Sequence, residues 1–212
     1  MRISLIGMSG SGKSHWSSRL VAEGFRHFCC DDLIAERVSD ELRGPGGTVM
    51  DLGAWMGFPY DTRYPERELK YLECEIQVLR SVLEWMSRHE REPDEKVVID
   101  TTGSVIYAGE AILSALRKET TVVHLETPPG VRRIMLENYI KRPRPVLWRG
   151  MFQKEPHESN ESALARCYPQ LLVHRERLYE RFAHLTVPYE LHREGGQGIG
   201  DFLRMVCTVE RC

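Results

Sequence analysis

Gly7, Met8, Ser9, Gly10, Ser11, Gly12, Lys13 and Ser14 are the residues whose types and spacing most clearly specify chemistry. They match G-x-x-x-x-G-K-[ST] without a mismatch. The glycines allow backbone dihedrals closed to other residues, so successive N–H groups can converge on phosphate oxygens. A helix starting at the same point adds the partial positive charge of its N-terminus. Lys13 can bridge two phosphates as a point charge, and Ser14 offers a hard oxygen to Mg²⁺. His15 extends the nucleotide-side group by one residue, or lies on the helix surface. The implied ligands are ATP and Mg²⁺.

A second acid fits that chemistry. Lys96 to Ile99 read as a short apolar strand, and Asp100 closes it. Ligands of open α/β sheets gather at the carboxyl ends of strands. Asp100 is therefore a metal or substrate contact, or a strand-end cap. Asp32 follows the second apolar run, as an orienter for an acceptor hydroxyl or as a helix N-cap. Arg142 and Arg144 flank prolines in an irregular stretch. Such an arginine can close over a transferring phosphoryl group, or remain a solvated loop charge.

These residues need a scaffold. Apolar runs suited to buried strands occupy 2–7, 25–30, 96–100, 120–126 and about 184–190. Amphipathic stretches of helical length occupy 12–23, 31–41, 65–89, 106–118, 129–141, 161–182 and 197–208. Strands alternating with helices predict an α/β fold, a three-layer α/β/α domain around a five-stranded parallel sheet. Two stretches break the rhythm, 43–64 and 141–160, both rich in proline. Long irregular segments in a compact domain are commonly functional. The expectation is one domain, with a substrate-binding segment at 33–70 and a lid at 141–165. Trp55, Phe58 and Tyr60 form either an apolar wall for the acceptor or a satellite core.

The totals exclude other classes. A chain of 212 residues holds one well-buried domain, not two. A formal net charge of -2 disfavours a nucleic-acid surface. No apolar run reaches membrane-spanning length, and the N-terminal apolar segment is too short for a signal peptide. The six cysteines show no C-x-x-C pairing, which fits free thiols in a cytoplasmic protein. The eight histidines form no ligand spacing. A small-molecule acceptor is the expected partner, with a monomer or weak dimer as the assembly.

Several motifs in register resemble the shikimate kinase-like family, within the P-loop small-molecule kinases of the nucleoside-monophosphate-kinase-like fold. Phe28 to Glu36 resembles F-x-D-x-D-x-x-I-E, with Asp32 at the substrate-hydroxyl acid and Cys30 at the earlier one. Glu66 to Glu73 resembles E-x-x-F-R-x-x-E, with Lys70 at the arginine that grips a carboxylate. Arg63 and Arg67 are rival acceptor-binding cations nearby. Thr101, Thr102 and Gly103 fall on the Gly-Gly-Gly substrate loop. Arg144 to Leu147 resembles the lid's R-P-L-L, and Arg175 to Ala183 resembles R-x-P-x-Y-x-x-x-A. The resemblance implies transfer of the ATP γ-phosphoryl group to an acceptor hydroxyl, with Lys13, Asp32 and Arg144 catalytic. It implies substrate contacts from Asp32, Lys70, Thr101, Thr102, Gly103 and Arg175. The altered arginine and glycines leave the acceptor open between shikimate and another polyol, sugar acid or nucleotide. A nucleotide-binding regulatory module is the alternative to an enzyme.

Overall fold

The computed structural model describes residues 1–89, 95–142, 144–194, 196 and 198–209. Pro143 and Gln197, within segments given above, and Cys212, one of the six cysteines, lie outside them. Five strands form one parallel sheet in the order β2-β3-β1-β4-β5. They are β1 (Arg2–Ile6), β2 (Arg26–Cys29), β3 (Val97–Asp100), β4 (Thr121–Leu125) and β5 (Leu185–Val187). The helices are α1 (Lys13–Ala22), α2 (Cys30–Arg37), α3 (Ser39–Leu42), α4 (Leu52–Met56), α5 (Tyr64–Arg88), α6 (Glu110–Glu119), α7 (Pro129–Lys141), α8 (Asn160–Phe182) and α9 (Ile199–Val209).

The sheet is covered on both faces because its strands are apolar on both. Ile3, Leu5, Val98 and Val123 pack with Trp16 and Leu20 of α1 and Phe202 and Val206 of α9. Ile6, Val97, Ile99 and Val122 pack the other way, with residues of α2, α5, α6 and α8. Side chains alternate with period two, so one short strand serves both layers. Among the described residues, no helix is long and apolar enough to cross a membrane.

The expected elements all occur, with informative differences at their ends. The stretch 31–41 is two helices, because Val38 (φ -101, ψ 16) interrupts the α-helical run. Gly109, at φ 94, delays α6 to Glu110, after a 3₁₀ turn at Val105–Tyr107. The fifth strand stops at Val187 because Pro188 cannot donate to a ladder, and a π-turn at Glu190–Glu194 follows. The irregular segment 43–64 contains α4, whose N-cap Asp51 accepts a 2.7 Å hydrogen bond from Ala54 N.

Aromatic side chains tie the two irregular segments together. Phe58 stacks on Tyr60 at 5.3 Å and meets Tyr139 edge-on at the same distance. Tyr60 reaches Phe152, Tyr139 stacks on Tyr168, and Trp148 packs on Phe152 and Tyr168. Each such pair contributes about 0.5–1.5 kcal/mol beyond its buried area. Of the two readings of Trp55, Phe58 and Tyr60, this packing is that of a core: Trp55 is 2% exposed. Val146, Leu147 and Trp148 are buried too, so the middle of 141–165 is anchored while Arg142 and Arg144 stay exposed.

Candidate active site

The turn from β1 to α1 forms a cradle. Gly7 (φ 143), Gly10 (φ 87) and Gly12 (φ 109) hold dihedrals that L side chains rarely adopt. At Gly7 a Cβ would lie 2.9 Å from both Leu125 O and Ser11 Oγ, so no larger residue fits. Gly12 caps α1 without any side-chain hydrogen bond, and the first turn carries no acid. The helix N-terminus therefore presents unsatisfied N–H donors. Ser9, Gly10, Gly12, Lys13, Ser14 and His15 line a cavity of about 190 Å³ together with Asp31, Asp100, Gly103, Arg144 and Arg193. An uncapped helix start, a glycine cradle and three cations suit a polyphosphate. Lys13 Nζ donates to Gly7 O at 2.9 Å and Met8 O at 3.0 Å. Burial lowers its pKa, opposed by the charges of Asp100 and Asp31.

Ser14 and Asp100 share that cavity, and so could hold one metal ion between them. Asp100 is 4% exposed and accepts a hydrogen bond from Ser17 Oγ at 3.1 Å. The available donors are oxygens, as Mg²⁺ requires.

A second cavity of about 450 Å³ continues from the first, sharing Ser9, Gly10, Arg144 and Arg193 with it. Tyr139, Tyr168 and Tyr189, with Arg142, give it aromatic and cationic walls suited to a nucleobase. Arg193 was not anticipated. Its Nη2 donates to Gly10 O at 2.9 Å, and its side chain lies 3.5 Å from a Cβ built on Gly12. It comes from the π-turn after β5, far along the chain, and carries no motif of its own.

A third cavity of about 230 Å³ is lined by Asp31, Asp51, Leu52, Gly53, Arg142, Arg144 and Pro145. It shares Asp31 and Arg144 with the phosphate cavity. The acid at this junction is Asp31, not Asp32. α2 begins at Cys30, so neighbouring side chains point about 100° apart instead of alternating along a strand. Asp31 accepts from Tyr71 OH at 2.9 Å; its side chain is open to solvent on one side, and desolvation by the surrounding protein raises its pKa. Asp32 lines none of the three cavities. It bonds the Cys29 thiol, whose pKa is pushed up to about 12, chiefly by burial.

The α5 face also differs from the motif register read in the sequence. Lys70 is 46% exposed, pairs with Glu41, and lines a separate pocket with Trp55, Arg63, Glu66 and Arg67. The residues turned inward are Tyr71 and Glu75, both 0% exposed, and Tyr71 reaches Asp31 from beneath the cleft. Glu68, Tyr71 and Glu75 satisfy the same E-x-x-aromatic-x-x-x-E pattern two positions later, with Leu72 at the arginine. Glu75 accepts from Ser104 Oγ at 2.7 Å and from Thr102 Oγ1. Burial pushes its pKa up to about 7, against the pull of these hydroxyls.

Thr101 and Thr102 turn inward. Thr101 Oγ1 donates to Leu5 O at 2.6 Å, and Thr102 is held by Glu75 and Ser104. Gly103 alone of the three lines the phosphate cavity, and a Cβ there would lie 3.0 Å from Ser9 N. Arg175 is 3% exposed and donates to Gly103 O at 3.2 Å and Leu147 O at 2.6 Å. Tyr179 OH also donates to Gly103 O, at 2.5 Å. Arg175 thus joins α8, the turn after β3 and the anchored part of 141–165.

No family model matches the chain, and no curated protein matches it in sequence. Its architecture is that of the P-loop kinases, with the cradle between β1 and α1 and the sheet order above. Solved structures share it. A shikimate kinase from Acinetobacter baumannii in complex with shikimate aligns with TM-score 0.61 and 21% identity, over 98% of this chain and 93% of that one. A shikimate kinase from Bacteroides thetaiotaomicron gives 0.59 and 19%, over 100% and 99%. A dephospho-CoA kinase from Campylobacter jejuni gives 0.51 and 12%, over 99% and 95%. At these identities the likeness is one of fold.

Proposed function

We propose that the protein is an ATP-dependent kinase of a small hydroxyl-bearing molecule. The observation that carries this reading is the junction of the phosphate cavity with the third cavity, where Asp31 and Arg144 belong to both. A carboxylate and a guanidinium then stand where an acceptor hydroxyl and a terminal phosphoryl group meet.

The triphosphate lies on the N–H groups of the cradle, and Lys13 swings from the Gly7 and Met8 carbonyls onto it. A Mg²⁺ held by Ser14 and Asp100 would neutralise phosphate charge when bound. Arg193 and the tyrosines of the second cavity hold the nucleoside end. Asp31, fixed by Tyr71, accepts the hydrogen bond of the acceptor hydroxyl and orients its oxygen in line with the γ-phosphorus. The oxygen–phosphorus bond forms as the bond to the ADP oxygen breaks. The hydroxyl proton passes to Asp31 and then to solvent. Arg144, exposed beside a proline, stabilises charge on the transferring group.

The acceptor cavity departs from the shikimate kinase motif: hydroxyl-bearing acceptors find two carboxylates there, and Arg142 is the cation open to an acidic acceptor. The carboxylate-gripping position falls on Lys70 or Leu72, and neither is a cation in the cavity. Arg175 is committed to two backbone carbonyls. Asp31 and Asp51 supply hydrogen-bond acceptors for hydroxyl groups instead. The test is coupled ADP release from Mg-ATP with a panel of polyols, sugar acids, nucleosides and shikimate. Acceptor-dependent release in the wild type, abolished in Lys13→Ala, is expected. ATP binding without turnover on any acceptor would leave the regulatory alternative standing in its place.

A further inference from the structure

Parallel pairing sets Cys29 of β2 beside Asp100 of β3. Side chains alternate along a strand, so His27 shares the face of Cys29. It is the face covered by α1, since Ser17 of that helix donates to Asp100. One ligand atom from each of His27, Cys29 and Asp100 lies within 4.8 Å of the other two. His27 is exposed at the sheet edge, Cys29 is half-buried and Asp100 is buried. The trio therefore has a fixed wall on one side and an opening to solvent on the other.

The donor set is imidazole nitrogen, thiol sulfur and carboxylate oxygen. Mg²⁺ selects hard oxygens, whereas mixed nitrogen and sulfur donors select borderline ions such as Zn²⁺. Ligand atoms around tetrahedral zinc lie roughly 3.3–3.8 Å apart, given bond lengths of about 2.0–2.3 Å. From separations of at most 4.8 Å the trio closes by no more than about 1.5 Å to reach that geometry, through side-chain rotation of the exposed His27 and the half-buried Cys29 toward Asp100.

We propose that His27, Cys29 and Asp100 form a binding site for Zn²⁺, different in chemistry from the Mg²⁺ position and sharing Asp100 with it. Three protein ligands leave the fourth position to water. Coordination replaces the Cys29 thiol proton by the metal and releases that proton to solvent. Zinc held there draws on the Asp100 carboxylate, so the two metals compete. That competition rests on the kinase reading; zinc binding does not.

The experiment uses the intact protein with chelator-buffered Zn²⁺ in millimolar Mg²⁺. Zinc retained after gel filtration is measured with a colorimetric chelator. Alkylation of Cys29 by N-ethylmaleimide is followed by mass spectrometry. The expected result is one zinc per chain and protection of Cys29. His27→Gln and Cys29→Ser each weaken binding by at least about tenfold, the lower end of what even an outer-shell change costs. Cys207→Ser keeps the zinc. His27 is exposed, so its variant retains the fold, which an unchanged melting temperature verifies. No zinc retained by the wild type, or equal zinc in His27→Gln, overturns the proposal. Neither readout involves phosphoryl transfer, so loss of the kinase reading leaves this result intact.

Discussion

Glu75→Gln tests whether a buried carboxyl holds a proton at the centre of the molecule. Glu75 is 0% exposed and sits between the hydroxyls of Thr102 and Ser104. Burial raises its pKa from 4.5 to about 7. The native protein thus keeps a proton that the unfolded chain releases above pH 4.5. Stability falls as pH rises from about 4.5 to 7, and is flat on either side of that window. At about 1.4 kcal/mol per pH unit, the loss is about 3 kcal/mol. Glutamine fills the same volume and does not titrate. Urea unfolding at pH 5 and pH 8 measures the difference for each protein. The wild type should lose about 2.5 kcal/mol more than Glu75→Gln across that interval, since part of the window lies below pH 5. Asp31, whose pKa is also raised, titrates in both proteins, and only its coupling to the Glu75 charge remains in the comparison. Parallel pH dependence in the two proteins would refute the reasoning, because it would place the Glu75 titration outside the window.

Four further substitutions probe the site. Asp31→Asn should lower kcat by about 10²–10⁴, while Asp32→Asn changes it less than about threefold. With its pKa raised, Asp31 must lose a proton to act, so kcat/KM falls with acid from above the ordinary carboxylate range; a profile flat down to pH 4 contradicts that role. Arg193→Ala should raise the KM for ATP roughly tenfold, through loss of charge-assisted contacts, and leave the acceptor KM unchanged. A larger effect on the acceptor would move Arg193 out of the nucleotide cavity. Gly7→Ala meets Leu125 O and Ser11 Oγ at 2.9 Å and strains a φ of 143. A destabilisation of at least about 1–3 kcal/mol, read as a lowered melting temperature, is expected.

Local chemistry made much of the molecule legible in advance. The cradle depends on glycines and a lysine within eight consecutive residues, and each strand is a short apolar run bounded by turns. The expected five strands and the expected α7 range, 129–141, are all observed. Helix breaks were harder to read, since Val38 and Gly109 act through backbone dihedrals. The site beyond the cradle depended on direction. Asp31 and Asp32 are adjacent and chemically alike, and the start of α2 at Cys30 decides which one faces the cleft. On α5, a shift of two residues turns the same pattern from the exposed Lys70 face to Tyr71 and Glu75.

The sequence by itself determined the phosphate cradle, the α/β architecture and the two atypical segments, because spacing and hydrophobic period act over a few residues. Tertiary structure alone decided the rest. It brought Arg193 onto the loop that begins 186 residues earlier, at Gly7, set Arg175 between two carbonyls, and packed the aromatic residues of both irregular segments into one core. Those contacts join residues far apart in the chain, and no local period or motif encodes which distant partner a side chain will meet.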